Sequence, residues 1–297
     1  MTPHPALEAY RTKVERLLQT TDRLLQATDS NRPVPPVLYH YTDAHGLYGI
    51  AQTKELWATN VLYLNDSQEV HYGHGLAREF IKRFAPDSRI YNILRRGLGY
   101  FASMADPANV DNYVISFCSE PDLLSQWRAY GNNGTGYAIG FSTPELMELT
   151  RYTGGSHSLS LFPLVYEKQL QLQLLADYAQ ATEQYCEERA VGDLGWEDLR
   201  SWLDIILKCK HSQFREENEW RLSWVLLYPY SGPFYRVRRG DIVPYFKIRL
   251  NIKMVTSVMV GPTVNPELAQ RAIRDMVMRS GFAYAKTVEV STLPLRP

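Results

Sequence analysis

The chain carries no excess charge of either sign, since 32 lysines and arginines balance 32 aspartates and glutamates among 297 residues. A balanced chain has no global field to draw it to nucleic acid or an acidic membrane, so any polyanion contact must be local. Cysteine is scarce: Cys118, Cys186 and Cys209 are odd in number and form no C-x-x-C pair. That argues against a disulfide framework or a zinc knuckle, and a reducing cytoplasm is the expected setting. Long apolar runs are missing as well. Nothing approaches the roughly 18 unbroken apolar residues of a membrane span, and no apolar signal core stands near the first residues, so no membrane partner is expected. Glycine-rich phosphate motifs are also wanting. The glycines at 131, 134 and 136 lack the Lys-Ser/Thr of a P-loop and the G-x-G-x-x-G of a dinucleotide fold, and they open into a strand, so a hairpin turn is expected. Glu69, His71 and His74 begin a helix, but no third His or Cys follows at ligand spacing, and no metal is expected.

What the chain does have is aromatic surface, with 20 tyrosines suited to half-apolar pockets. A helical stripe over 6–27 and three prolines between 29 and 36 make residues 1–36 an N-terminal helix and connector. Residues 37–297 read as a single α+β domain, because many strands occur without strict helix alternation or internal repeat. A helical insertion is expected at about 167–212, with strands at 37–42, 56–60, 113–119, 137–141, 245–250 and 255–260. Residues 228–239 read as a loop ending in Arg236, Arg238 and Arg239, a cluster suited to a local polyanion contact.

The insertion delivers the chain to Glu217-Asn218-Glu219-Trp220-Arg221. Strand alternation puts Glu217, Glu219, Arg221 and Ser223 on one face and Trp220, Leu222 and Trp224 on the other. Like charges side by side repel, and carboxylates form strands poorly, so a pair where an apolar strand begins points to chemistry. Solvated charges at an exposed strand end are the alternative. Upstream, Ser116 shares a strand face with Val114 and Cys118, and His40 sits in an aromatic first strand, where a histidine serves the core or faces a cleft.

Leu38-Tyr39-His40-Tyr41-Thr42, Leu64-Asn65-Asp66, Leu124-Ser125-Gln126-Trp127-Arg128-Ala129-Tyr130-Gly131 and Glu217-Asn218-Glu219-Trp220-Arg221 together resemble a widespread bacterial family of uncharacterised domains over about residues 37–294. More distantly, the layout resembles the ADP-ribosyltransferase superfamily. The likeness lies in a first-strand Tyr-His-x-Thr as in its DNA-modifying toxin branch, a second-strand serine, and Glu-x-Glu entering a later strand. Two positions depart from the superfamily pattern: His40 stands where arginine-specific members carry arginine, and Ser116 lies in Ile-Ser-Phe-Cys-Ser rather than Ser-Thr-Ser.

That second resemblance implies an ADP-ribosyltransferase-like split mixed sheet with helical insertions. It also implies an enzyme that takes NAD as substrate, cleaves the nicotinamide N-glycosidic bond and passes ADP-ribose to nucleic acid or protein, in a toxin or phage-defence setting. Such cleavage builds an oxocarbenium-like cation that a carboxylate stabilises. By resemblance, Glu219 holds the ribose and stabilises the cation, Glu217 orients or deprotonates the acceptor, and Ser116 positions Glu219. His40 and Thr42 of the first-strand motif belong to the NAD site, with His40 on the adenosine-side ribose. Tyr41, Trp57 and Tyr63 are offered to nicotinamide, and Arg128 to the pyrophosphate. The alternatives are an NAD glycohydrolase or other glycosidase using the same carboxylates on water, and a binding module without turnover. For the tryptophans the competing role is core packing, and for Arg128 a buried ion pair.

Overall fold

The structure, a computed structural model, describes residues 34–64, 68–103, 112–131, 135–151, 157–189, 202, 205–226, 232–238, 240–282 and 287–294. The helix expected over 6–27 lies outside the described residues. The described chain falls into two compact units, one drawn from Val34–Tyr63, Asp111–Phe162 and Glu216–Pro297, the other from Leu64–Val110 and Pro163–Arg215.

The first unit is α+β. Its strands are β1 (Val37–Thr42), β2 (Glu55–Asn60), β3 (Asn112–Cys118), β4 (Tyr137–Ser142), β5 (His157–Pro163), β6 (Glu219–Leu226), β7 (Phe234–Arg238), β8 (Asp241–Arg249), β9 (Val255–Val260) and β10 (Thr287–Val290). They form one ten-stranded mixed sheet in the order β10-β9-β4-β1-β3-β2-β8-β7, with β6 on β3 and β5 on β6. The pair β9–β10 is parallel, whereas β1–β4, β3–β6 and β2–β8 are antiparallel.

The sheet is split at β3. One edge of this strand is taken by β6 along its whole length, from Asn112↔Val225 to Cys118↔Glu219. The other edge is shared: β1 joins only at Tyr39↔Cys118, and β2 only at Thr59↔Val114 and Asn60↔Tyr113. Between those two contacts β1 and β2 diverge. Ser116 stands in the gap, and it is the one position of β3 that is not buried.

The α-helices are α1 (Ala44–Thr53), α2 (Gln68–Ile81), α3 (Arg89–Ser103), α4 (Leu124–Tyr130), α5 (Thr143–Arg151), α6 (Lys168–Arg189) and α7 (Pro266–Arg279). Asp43 starts α1 by accepting from Gly46 N at 2.8 Å, and Lys54 ends it in the left-handed region. One sheet face holds the main core, where Leu38, Ile115, Phe117, Phe141, Leu222 and Ile248 meet Leu47 and Ile50 of α1, Leu146 of α5 and Ile273 of α7. The other face carries a smaller cluster of Tyr41, Cys118, Trp127, Ala138 and Met259.

The segment expected to be a hairpin turn lies between a helix and a strand: it leaves α4, where Gly131 N donates to Trp127 O at 3.0 Å, and enters β4, with 132–134 outside the described residues. At Gly136 the backbones close up, and a Cβ there would stand 2.5 Å from both Gly131 Cα and Thr42 O. Because backbone cannot swing aside, Gly136→Ala is expected to lower stability by about 1–3 kcal/mol, read as an earlier midpoint in urea.

The expected loop over 228–239 is also corrected. Phe234–Arg238 is a strand paired with β8, closed by Gly240 at φ 92°. Its alternation of Phe234, Arg236 and Arg238 against Tyr235 and Val237 was a strand pattern hidden by the prolines before it.

The second unit holds α2, α3 and α6. Trp202 is buried, stacks on Tyr178 of α6 with centroids 5.3 Å apart and lies 6.4 Å from the ring of Phe80 of α2. A Cβ on Gly97 of α3 would come within 2.7 Å of the Trp202 ring, so glycine keeps that helix close.

Candidate active site

Glu219 is the first residue of β6, and Arg221 follows two positions later on the same face. Both are buried, with side chains 6% and 4% exposed. Arg221 grips the carboxylate at two points, Nε donating to Oε1 at 2.7 Å and Nη2 to Oε2 at 3.2 Å. Across the β3–β6 ladder, the Ser116 hydroxyl donates to Oε1 at 2.7 Å. Charge-assisted bonds in this dry setting fix the carboxylate's position tightly.

His40 meets Ser116 from β1 through the backbone carbonyl, not through the hydroxyl that binds Glu219. Its Nδ1 lies 3.0 Å from the carbonyl oxygen of Ser116, the group that the split leaves without a neighbouring strand. A carbonyl only accepts, so Nδ1 carries the proton and, in the neutral ring, Nε2 is left as an acceptor. Burial holds the imidazole pKa below its ordinary 6.5, and the positive charges of Arg236 and Arg238 push the same way against the Ser116 carbonyl. Folding therefore favours the neutral ring. That stability is present above the unfolded value of 6.5 and is lost as pH falls through the lower folded value. Denaturant titrations are expected to show wild type losing stability below pH 6.5 more steeply than His40→Gln.

His40, Ser116 and Glu219, far apart in the chain, thus form one line of contacts. Glu217 does not share a strand face with Glu219. It ends a 3-10 turn, Ser212–Glu217, and Asn218 at φ 44° breaks the alternation before β6 begins. Asparagine tolerates that left-handed conformation, which the Glu-Asn-Glu pattern did not reveal as a break.

The residues offered to nicotinamide separate. Tyr41 is buried, packs edge-on against Trp127 at 4.6 Å, donates its hydroxyl to Glu120 O at 2.9 Å and accepts from Leu123 N at 3.0 Å. Burial raises its pKa steeply, and its role is to tie β1 to the start of α4. Trp57 stacks on Tyr245 with centroids 4.4 Å apart. The β2–β3 register places it level with Ser116, where β2 has already left β3. Tyr63 is partly exposed in the turn after β2, and its carbonyl accepts from Arg238 Nη1 at 3.4 Å. Thr42 ends β1 and is partly exposed, whereas Arg128 is an exposed residue of α4 and not half of a buried ion pair.

Three residues that sequence reasoning did not place with Ser116 and Glu219 stand on their face of the sheet. Arg221 was legible as the same-face neighbour of Glu219. Thr59 and Arg236 were not, since a hydrogen bond of 2.7 Å between them spans 177 positions. All three cysteines are buried free thiols, and burial pushes Cys118 and Cys209 up to about 12, so neither is a nucleophile at neutral pH. Among the described residues no group of three or more His, Cys, Asp or Glu is placed to hold a metal ion. No described helix is long and apolar enough to cross a membrane.

A protein family described as "Protein of unknown function (DUF2971)" matches residues 126–222. That segment runs from Gln126 through Leu222 and includes Glu219 and Arg221. No curated protein matches the chain. A solved structure, Thermus sp. 2.9 DarT in complex with ADP-ribosylated ssDNA, is similar at 13% identity over 87% of this chain and 94% of that one, with a TM-score of 0.32.

Proposed function

We propose that the split-sheet unit cleaves the nicotinamide N-glycosidic bond of NAD and transfers ADP-ribose to an acceptor on nucleic acid or protein. The observation that supports this is the His40–Ser116–Glu219 line at the gap between β1 and β2. Glu219 places a fixed negative charge where a ribosyl cation would form, and exclusion of water strengthens it. Ser116 and Arg221 hold that carboxylate in one orientation. Neutral His40 offers Nε2 to a ribose hydroxyl. The glycosidic electron pair leaves with nicotinamide as a neutral pyridine. The acceptor oxygen or nitrogen then bonds to the ribose carbon and gives up its proton, for which Glu217, partly exposed just before β6, is the nearby base.

The double grip of Arg221 on Glu219 favours a second reading, in which the carboxylate is structural and the unit binds nucleotides without turnover. Incubation of the purified chain with NAD, following nicotinamide by chromatography, separates the two. Release together with labelled acceptor in a cell lysate is the expected result, whereas free ADP-ribose alone would mark a glycohydrolase. No release, with an NAD-dependent rise in melting temperature, would leave the binding module.

A further inference from the structure

Arg236 is a partly buried cation with no anion beside it among the described residues. Its Nη2 donates to Thr59 Oγ1 at 2.7 Å, and its guanidinium lies 5.5 Å from the ring centroids of both Trp57 and Tyr245. Cation–π attraction holds the group in place but does not neutralise it. Among the described residues no carboxylate pairs with it, and its Nε and the indole Nε1 of Trp57 are two buried donors without a hydrogen-bond partner. Lys247, two positions beyond Tyr245 on the same strand, differs in pairing with Glu55 at 3.5 Å. Arg238 adds a second guanidinium on the same face of β7, two residues on. Packing alone gives no reason to bring like charges together beside unmet donors.

Their location is set by the ladder. Antiparallel partners share a face, so Phe234, Tyr245, Thr59, Val114 and Ser223 form one row across β7, β8, β2, β3 and β6. Ser116 and Arg221 make the next row on β3 and β6, about 6.6 Å along the strands. From β7 the Arg236 side chain runs back past Thr59 to lie over Trp57, the residue level with Ser116. It therefore overhangs the side of the split opposite His40.

We propose that Arg236 and Arg238, with Trp57 as backing, form the subsite for the diphosphate of the dinucleotide. This deepens the NAD-cleaving reading and rests on it for the ligand. The lowered pKa of Arg236, caused first by burial and then by Arg238, agrees with a guanidinium that lacks its counter-ion.

The test is equilibrium binding of inorganic pyrophosphate, ADP-ribose and an oligothymidylate to wild type, Arg236→Gln, Arg236→Lys and Arg238→Gln, with circular dichroism confirming the fold of each. Arg236→Gln is expected to bind pyrophosphate and ADP-ribose about 10- to 100-fold more weakly, and Arg236→Lys to recover part of the loss. If NAD is turned over, Arg236→Gln raises KM with little change in kcat, because diphosphate contacts are equal in ground and transition states. Unaltered ADP-ribose binding in a folded Arg236→Gln overturns the subsite, whether or not nicotinamide is released. Loss confined to the oligothymidylate also overturns it, and assigns the arginines to a nucleic-acid backbone. Arg236-dependent ADP-ribose binding without any nicotinamide release keeps the subsite and removes the NAD-cleaving reading. Should Arg236→Gln fail to fold, Arg236→Lys and Arg238→Gln carry the decision by the same criteria.

Discussion

Glu219→Gln is expected to abolish nicotinamide release and also to unfold at lower denaturant than wild type. The first effect follows from removing the charge that faces the ribosyl cation, and groups of that kind are worth about 10²–10³-fold in rate. The second follows from Arg221, whose two-point grip on the carboxylate only the structure shows. A glutamine amide keeps an acceptor for Ser116 but withdraws the negative charge that a buried guanidinium grips, and breaking a buried pair from one side costs about 3–5 kcal/mol. The neutral isostere is thus not silent for folding. Adding Arg221→Met removes the cation as well, and the double variant is expected to recover most of the stability while staying inactive. Urea titration and nicotinamide chromatography on wild type, single and double variants read the two effects apart. A single variant as stable as wild type would contradict the buried pair, and release surviving in the double variant would remove Glu219 from the chemistry.

Trp127→Ala is expected to cost about 3–5 kcal/mol, because this ring is fully buried at the centre of the smaller core cluster. The indole does more than fill space. Its Nε1 donates to Asp122 Oδ1 at 2.8 Å, and the same carboxylate accepts from Ser291 Oγ at 2.6 Å and from Thr292 N at 3.0 Å. Asp122 so ties the start of α4 to the chain leaving β10, with Trp127 between them and Tyr41. Trp127→Phe keeps most of the packing and gives up one charge-assisted hydrogen bond, an expected loss of about 1.5–3 kcal/mol. Far-UV circular dichroism in a urea series measures both. Loss of NAD binding by Trp127→Ala at unchanged stability would show instead that the ring stacks on ligand.

The Ser-Gln-Trp-Arg-x-Tyr-Gly motif shows how motif and role come apart. Its specificity comes from packing: Gln126 and Trp127 are buried while Arg128 is exposed, so the residue assigned to a pyrophosphate is the one turned to solvent. Tyr41 is similar. An aromatic on a first strand looks the same in sequence whether it faces a cleft or a core, because alternation fixes only which neighbours share its face.

By itself, the sequence determined the α+β class, most strand positions, the shared face of Glu219 and Arg221, and the absence of a nucleotide glycine loop. Each of these depends on alternation or spacing within a few residues. It also marked His40, Ser116 and Glu219, but one at a time. Only the tertiary structure brought them into hydrogen-bonded line, because that line depends on β1 and β2 sharing one edge of β3 and then diverging, a pairing between distant segments. The break at Asn218, the strand at Phe234–Arg238 and the placement of the Arg236 guanidinium over Trp57 were decided there too. Backbone conformation at a single residue, register between strands and the surroundings of a charged side chain are properties of neighbours in space, which local spacing does not encode.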